Sequence, residues 1–389
     1  METSILNNKT GLNGRPGIRV KIYRSIAEVS EATWDAIVGE GRILCTHKFI
    51  EAMEKSGFGG SRCYYPVVYD GDEIIAHTSA YFMNTEMDLC AQGAVKDIID
   101  TVRGNWKNFF ILRSLECGSP ISTGNAISFK NGVKRAEVFE LLCDAIEGLA
   151  RELGISFILF RDFHNKEMEF YDILKKRGYM KLHNLPTAEL KIRWKSFGEY
   201  LDSMHSHYRR KIVRRMDKCA KAGVSLLVTK NFSDNTRELK RLHDNVYDHA
   251  KEIRRERLSE SLFQNINKYL GEKAVMIQAL KDEKLIGYLV LLSSGKTLIS
   301  KFPGLDYDYT KEYCIYFNLF YKAIELAIET GMDYFDMGIT TLDPKKEMGA
   351  SIVPLNMYMK HSNLFFNKVM PTLFNKMTPQ DTEPRNVFK

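Results

Sequence analysis

The stretch from Tyr208 to Ala222 places its charges at a spacing that can do chemistry. On a helix, at about 100° per residue, it sorts into two faces. Ile212, Val213, Met216, Cys219 and Ala220 share one side, while Arg210, Lys211, Arg214, Arg215, Lys218 and Lys221 share the other, with Asp217 at the seam. Like charges at this spacing repel one another unless water or an anion separates them. The face is therefore either a solvated surface or a seat for a phosphate-rich ligand, and the sequence leaves both open.

A second group of reactive types lies downstream. Lys301 is followed by Asp306, Tyr307, Asp308, Tyr309, Tyr313, Tyr316 and Asn318, within a run that reads G-L-D-Y-D-Y-T-K-E-Y from Gly304 to Tyr313. The aspartates can belong to a turn and the tyrosines to the core, or together they can line a pocket. Thr310 is the expected N-cap of the helix that follows. Asp336 precedes Met337 and Gly338 at the end of a strand, where open α/β sheets border clefts, and it can equally cap a turn. His361 is a base or a structural histidine. Cys117, beside Glu116, could be a covalent nucleophile, but nothing nearby in sequence supplies an activating base.

Periodicity supplies the elements that must hold these residues. Val20 to Tyr23 reads as a strand, Ile26 to Val38 as a helix, and Thr46 as the cap of a second helix ending at Gly57. Tyr64 to Tyr69 and Ile74 to Phe82 flank the turn Asp70-Gly71-Asp72-Glu73 as a hairpin. A helix over Ala136 to Leu153, a buried strand over Ser156 to Phe160 and a helix over Lys166 to Arg177 complete the first half. The second half repeats this order: helices over Thr236 to Glu252 and Ser259 to Leu270, a hairpin around Lys281-Asp282-Glu283-Lys284, and a strand over Thr297 to Phe302. A long helix over Glu312 to Thr330 and a strand over Asp333 to Met337 follow. A repeat of roughly 180 residues implies two domains rather than a solenoid. The expected division is a flexible leader over 1–17, domains over 18–192 and 193–365, and a tail over 366–389.

Composition narrows the class. The chain has 389 residues, 44% of them hydrophobic and 27% charged, with a formal charge of +7. That is ordinary for a globular α/β protein, and no run approaches the roughly 18 apolar residues of a membrane span. The amino-terminal residues lack the apolar core of a signal peptide, which points to the cytoplasm. The seven cysteines contain no C-x-x-C pair, and His205 and His207 would face different sides of a helix. Neither a disulfide framework nor a metal centre is expected.

The motifs that carry a resemblance are W-D-A-I at Trp34 to Ile37, the hairpin Tyr65 to Ala76, and A-R-E-L-G-I-S-F-I-L-F-R-D from Ala150 to Asp162. Tyr208 to Val224, Ala323 to Gly338 and K-K-E-M-G-A-S-I-V-P from Lys345 to Pro354 carry it in the second half. With them the chain resembles the tandem GNAT acyltransferases, in the branch of the Fem-type peptidoglycan aminoacyltransferases. The resemblance implies two GNAT-like domains, each a mixed twisted sheet flanked by helices, and transfer of an acyl group to a small-molecule amine. No tightly bound cofactor is implied. Acyl-CoA or an acyl carrier protein thioester is the expected donor, and aminoacyl-tRNA, which makes tRNA a partner, is the alternative; a non-catalytic binding module is a third reading.

By the same resemblance Lys301, Asp306, Tyr307 and Asp308 fall where the central strand splays from its neighbour, with Asp306 or Asp308 taking the proton of an attacking ammonium. Tyr309, Tyr313, Tyr316, Asn318, Asp336 and His361 are the pocket candidates, and Arg210, Lys211, Arg214, Arg215 and Lys218 the donor-binding ones. Ordinary GNAT enzymes hold the coenzyme A pyrophosphate on an R/Q-x-x-G-x-G/A loop after the central strand. Neither half contains that loop, and Gly304 to Tyr313 takes its place in the second.

Overall fold

The computed structural model describes residues 5–6, 17–57, 62–86, 101–102, 104, 111–118, 124–165, 167–250, 257–368 and 383–389. The expected leader and tail lie mostly outside these residues. In chain order the first half supplies β1 (Ile18–Tyr23), α1 (His47–Lys55), β2 (Arg62–Asp70), β3 (Glu73–His77), β4 (Ala80–Glu86) and β5 (Ile111–Cys117). It continues with α2 (Arg135–Glu152), β6 (Phe157–His164), α3 (Tyr171–Lys176), β7 (Met180–His183) and β8 (Thr187–Lys191). The second half supplies α4 (Phe197–Ser203), α5 (Ser206–Lys221), β9 (Ser225–Thr229), α6 (Thr236–His249), α7 (Glu260–Leu270), β10 (Ala274–Lys281), β11 (Lys284–Ser294) and β12 (Thr297–Leu305). Then come α8 (Tyr307–Tyr313), α9 (Ile315–Glu329), β13 (Tyr334–Gly338), α10 (Leu342–Glu347), β14 (Ser351–Val353) and β15 (Leu355–His361).

Local chemistry explains most boundaries. Thr46 accepts the Phe49 N–H to open α1, and Ser259 accepts the Leu262 N–H to open α7. The expected helix over Ile26 to Val38 is two short turns, Ile26–Glu28 and Glu31–Asp35, because the capping box of Ser25 and Glu28 closes a 3-10 turn that Val29 ends in extended backbone. The long helix expected over Glu312 to Thr330 is also divided. Cys314 adopts a left-handed conformation, φ 56°, between α8 and α9, an uncommon geometry for a residue with a side chain.

The chain forms two units, one of residues 1–38, 60–184 and 355–379, the other of 39–59, 185–354 and 380–389. In the first, the strand order is β1-β2-β4-β5-β6-β15-β7; in the second it is β9-β10-β11-β12-β13-β8-β14. Each sheet is an antiparallel meander with one parallel pair, β5 with β6 and β12 with β13. Each also receives a strand from the other half of the sequence. β15 enters the first sheet between β6 and β7, and β8 enters the second between β13 and β14. The two units are thus discontinuous in sequence, and a single cut near residue 192 would part 39–59 and 185–192 from the second unit and 355–361 from the first.

The first core gathers around α2, whose Phe139, Leu142, Cys143 and Ile146 are fully buried against the sheet. The second gathers around α9, through Ile315, Ala323, Ile324 and Ala327. Close packing sets one glycine on β12. A Cβ on Gly304 would lie 2.0 Å from the Tyr288 ring, which is fully buried and donates its hydroxyl to the Leu239 carbonyl at 2.8 Å.

Candidate active site

The parallel pairing of β12 with β13 covers only Thr297 with Tyr334, Leu298 with Phe335 and Ile299 with Asp336. β12 continues to Leu305, so the strands form a fork. On its other edge β12 bonds β11 with a register shift between Leu289–Pro303 and Val290–Lys301, which leaves Phe302 as an extra residue at φ 46°. Such a bulge bends the strand and re-aims its neighbours. Two side chains of α6 then take carbonyls of the bent stretch. His243 donates Nδ1–H to the Pro303 carbonyl at 3.0 Å, and Asn245 donates to the Leu305 carbonyl at 3.1 Å. The first bond fixes the tautomer of His243 and leaves Nε2 as the basic nitrogen; burial pushes its pKa below the usual histidine value, so the ring is neutral at pH 7. Sequence reasoning missed His243, since nothing local shows that this helix position meets a strand bulge.

Near the root of the fork, Lys345 is buried and donates Nζ–H to the Gly338 carbonyl at 3.0 Å and the Thr340 carbonyl at 2.5 Å. Its ammonium and the Ser300 hydroxyl each lie 3.7 Å from the place a Cβ would occupy on Gly338. Lys346 is equally buried. Burying a lysine ammonium is costly unless it is bonded, and in sequence this pair stood out only as part of a family motif. Asp336 accepts the Thr187 hydroxyl at 2.7 Å and the Gly338 N–H at 2.9 Å. It therefore ties β8 to β13 and closes the turn. Lys301 sits on β12 opposite Val290, half-buried.

The aspartates of the candidate cluster lie elsewhere. From Ser300 to Asp306 is six residues of strand, roughly 20 Å at about 3.3 Å each. There Asp306, not Thr310, caps α8: its carboxylate accepts the Asp308 N–H at 3.2 Å, while the Thr310 hydroxyl merely bonds back to the Asp306 carbonyl at 2.7 Å. Asp306 is 5% exposed, and Lys284 and Arg241 stand 3.2 and 3.6 Å from its Oδ2. Tyr307, Asp308, Glu238, Asn245 and His249 complete the wall of a cavity of about 550 Å³, where the His249 and Tyr307 rings stack at 4.0 Å. Hydrogen bonds from Arg241 hold the Glu238 carboxyl below its usual range. Tyr309 and Tyr313 lie under Lys284 and Lys281 as ring faces for those cations, Tyr316 packs on Phe320, and Asn318 is buried, donating to the Cys314 and Arg215 carbonyls. The last four are core and helix-packing residues.

The basic helix forms as α5, but its inner face is rotated from the expected one. Lys211 and Arg215 turn inward onto Glu347, at 2.6 and 3.3 Å, and the Arg215 guanidinium lies 3.4 Å from the centre of the Phe317 ring. Val213, expected on the packed side, is 40% exposed, and Ala220 is exposed too. The reason is that long cationic side chains can bury their stems and still reach a carboxylate, so Tyr208, Lys211, Ile212, Arg215, Met216 and Cys219 form the inner stripe. Arg210, Arg214, Lys218 and Lys221 remain exposed, with no ion-pair partner among the described residues.

The equivalent strand pair of the first unit is β5 with β6. Arg161 is buried there, 2.8 Å from Glu116 and 3.2 Å from Asp162, and Tyr81 donates to Glu116 at 2.6 Å. Burial pushes the Cys117 thiol up to about 12, with Thr78 as its hydrogen-bond partner, so it is not a nucleophile at neutral pH. His361 ends β15 in this first unit, where its Nδ1 accepts the Asn363 N–H. It is no part of the fork.

Two sheets, each with one parallel strand pair, the second pair forked beside a bulge and buried cations, define a tandem GNAT fold. The chain belongs to the FemAB-like family, described as peptidoglycan biosynthesis/recognition, whose model matches residues 25–349. Its fold is similar to that of FemX, at TM-score 0.56 and 12% identity, covering 88% of this chain and 98% of FemX. It is also similar to L-PGS from Bacillus licheniformis, at TM-score 0.52 and 13% identity over 86% and 97% of the two chains. A tandem GNAT protein of clavulanic acid biosynthesis gives TM-score 0.53 at 9% identity over 89% and 99%. In sequence, 324 residues are 21% identical to a putative 8-amino-7-oxononanoate synthase 2 of Mycobacterium tuberculosis, a match of 81% of this chain. The chain spans 42% of the length of that relative.

Proposed function

We propose that the protein moves an aminoacyl group from an aminoacyl-tRNA to an amine at the fork of β12 and β13. The donor ester bond breaks, an amide bond forms, the ammonium proton leaves, and the tRNA hydroxyl is released. The observation that carries the choice of donor is the buried carboxylate of Asp306 on the first turn of α8. In a coenzyme A enzyme of this fold that helix start receives the pyrophosphate. Here an anion of the protein already occupies it, bonded to Asp308 N–H and paired with Lys284, and a second anion would meet like charge.

The exposed cations of α5 suit a longer polyanion. Arg210, Arg214 and Lys218 repeat every four residues and Lys221 extends the row, so the stripe runs about 16 Å along the helix at 1.5 Å per residue. That length matches successive phosphates of a nucleic acid strand better than one compact diphosphate. At the fork, the neutral His243 beside the bulge is the group proposed to accept the proton, and the Lys345 ammonium supplies fixed positive charge for the oxygen that becomes anionic.

The test is amide formation from a radiolabelled amino acid charged onto tRNA, with and without ribonuclease. Labelled product that ribonuclease abolishes is expected. Product formed instead from acyl-CoA or an acyl carrier protein, and insensitive to ribonuclease, would replace this reading with the thioester one. Binding of charged tRNA with no turnover for any amine would favour a binding module.

A further inference from the structure

Soluble helices turn apolar residues inward, and the helical turn at 364–368 does the reverse. Leu364, Phe365 and Phe366 are 77%, 68% and 49% exposed. The polar residues of the same turn hold it to the protein. Asn367 donates to the Gly178 carbonyl at 3.0 Å and accepts the His361 N–H at 2.9 Å, while Asn363 caps the turn by accepting the Phe365 N–H at 2.9 Å. The apolar side chains are thus presented outward by a fixed, hydrogen-bonded base, all within the first unit.

Three consecutive helical positions spread over about 200° of the helix circumference. A protein groove grips one stripe of a helix, whereas a fluid hydrocarbon phase surrounds whatever is pushed into it. The surroundings are cationic. Gly178, which holds Asn367, follows Lys175 and Lys176, both exposed, and Lys368 is exposed at the end of the turn. Met180, two residues beyond Gly178, is 40% exposed. Exposed apolar side chains, with exposed lysines in the same turn and just before the glycine that holds it, match the acyl chains and the negative headgroups of an anionic bilayer.

We propose that Leu364, Phe365 and Phe366 form a wedge that docks this protein on the surface of an anionic lipid membrane. The wedge inserts between headgroups, and Lys175, Lys176 and Lys368 face the lipid charges. The proposed attachment is peripheral and reversible; no helix among the described residues is long and apolar enough to cross a membrane. This docking is independent of which donor the fork uses.

The full chain is to be sedimented with vesicles of phosphatidylcholine alone and of phosphatidylcholine mixed with phosphatidylglycerol. Wild-type protein is expected to bind the mixed vesicles. L364Q with F365Q should weaken that binding by at least about tenfold, given two exposed apolar side chains that lose hydrocarbon contact. The melting temperature should stay unchanged. K175Q with K176Q should remove most of the preference for the anionic vesicles. Failure of the wild type to bind, or equal binding by the glutamine variant, would overturn the proposal. So would a concentration-dependent dimer in sedimentation velocity that the glutamine variant abolishes, since a second copy would then be the occupant.

Discussion

Arg215 and Glu347 meet at 3.3 Å beneath α5, with the same guanidinium 3.4 Å from the centre of the Phe317 ring and 3.2 Å from the Tyr321 hydroxyl. The neighbouring Arg214 is exposed. Two adjacent arginines therefore have different roles: Arg215 holds the helix to the second core, and Arg214 belongs to the outer stripe. Arg215→Ala should cost about 1–3 kcal/mol through a half-broken, partly buried ion-pair network and a lost ring contact, whereas Arg214→Ala should stay within about 0.5 kcal/mol. Val213→Asp should be tolerated and Met216→Asp should not, because only Met216 packs on the core. Urea unfolding of the four single variants measures this.

Glu347 is also a pH-dependent contact. Burial alone would raise its pKa, but the hydrogen bond and charge of Lys211, with Arg215, hold it below the usual glutamate value. The unfolded chain therefore binds the proton first as the pH falls, so stability decreases with acidification. The contribution is full above the ordinary glutamate value of about 4.3 and is lost as the pH drops through the lower folded value. Between pH 7 and pH values below that range, the wild type should lose more stability than Glu347→Gln. Unfolding free energies of the two proteins at each pH provide the comparison.

Asp306 is predicted to work as a cap rather than as a proton acceptor. Asp306→Asn keeps a good N-cap, so helix α8 should survive and turnover should remain within a few-fold of wild type. Asp306→Ala should cost about 1 kcal/mol through loss of the cap. Large loss of turnover in the asparagine variant with an unchanged melting temperature would make the carboxylate charge part of the reaction.

His243, in contrast, should govern the pH–rate profile. The rate of transfer should rise with pH as the imidazole loses its proton, and burial places that limb below the ordinary histidine value of about 6.5. His243→Gln can still donate to the Pro303 carbonyl but has no basic nitrogen. It should lower kcat by about 10²–10⁴-fold, with the limb gone and stability little changed. A pH series of initial rates for both proteins is the measurement.

Much of the fold was legible in the sequence because it rests on local physics. Helical periods gave α2, α5, α6 and α7 to within a few residues, turn residues gave the hairpins, and the repeat of element types gave two similar halves. Thr46 was readable as a cap since a cap bonds an amide only three residues away. The charged run of α5 was visible for the same reason.

What the tertiary structure alone decided are the contacts between distant parts of the chain. Strand exchange put β8 into the second sheet and β15 into the first, since backbone hydrogen bonds recognise an open strand edge and carry no memory of sequence distance. The same exchange set Thr187 on Asp336 and left His361 in the first unit. Lys211 and Arg215 face inward only because α10 brings Glu347 beneath them, a partner more than 130 residues away that outweighs the helix's own pattern. Likewise the Phe302 bulge, the His243 contact with Pro303 and the Lys345 ammonium at the fork depend on packing that no local window contains. Residue type and spacing determined which groups were available; long-range pairing and burial determined which of them face a site.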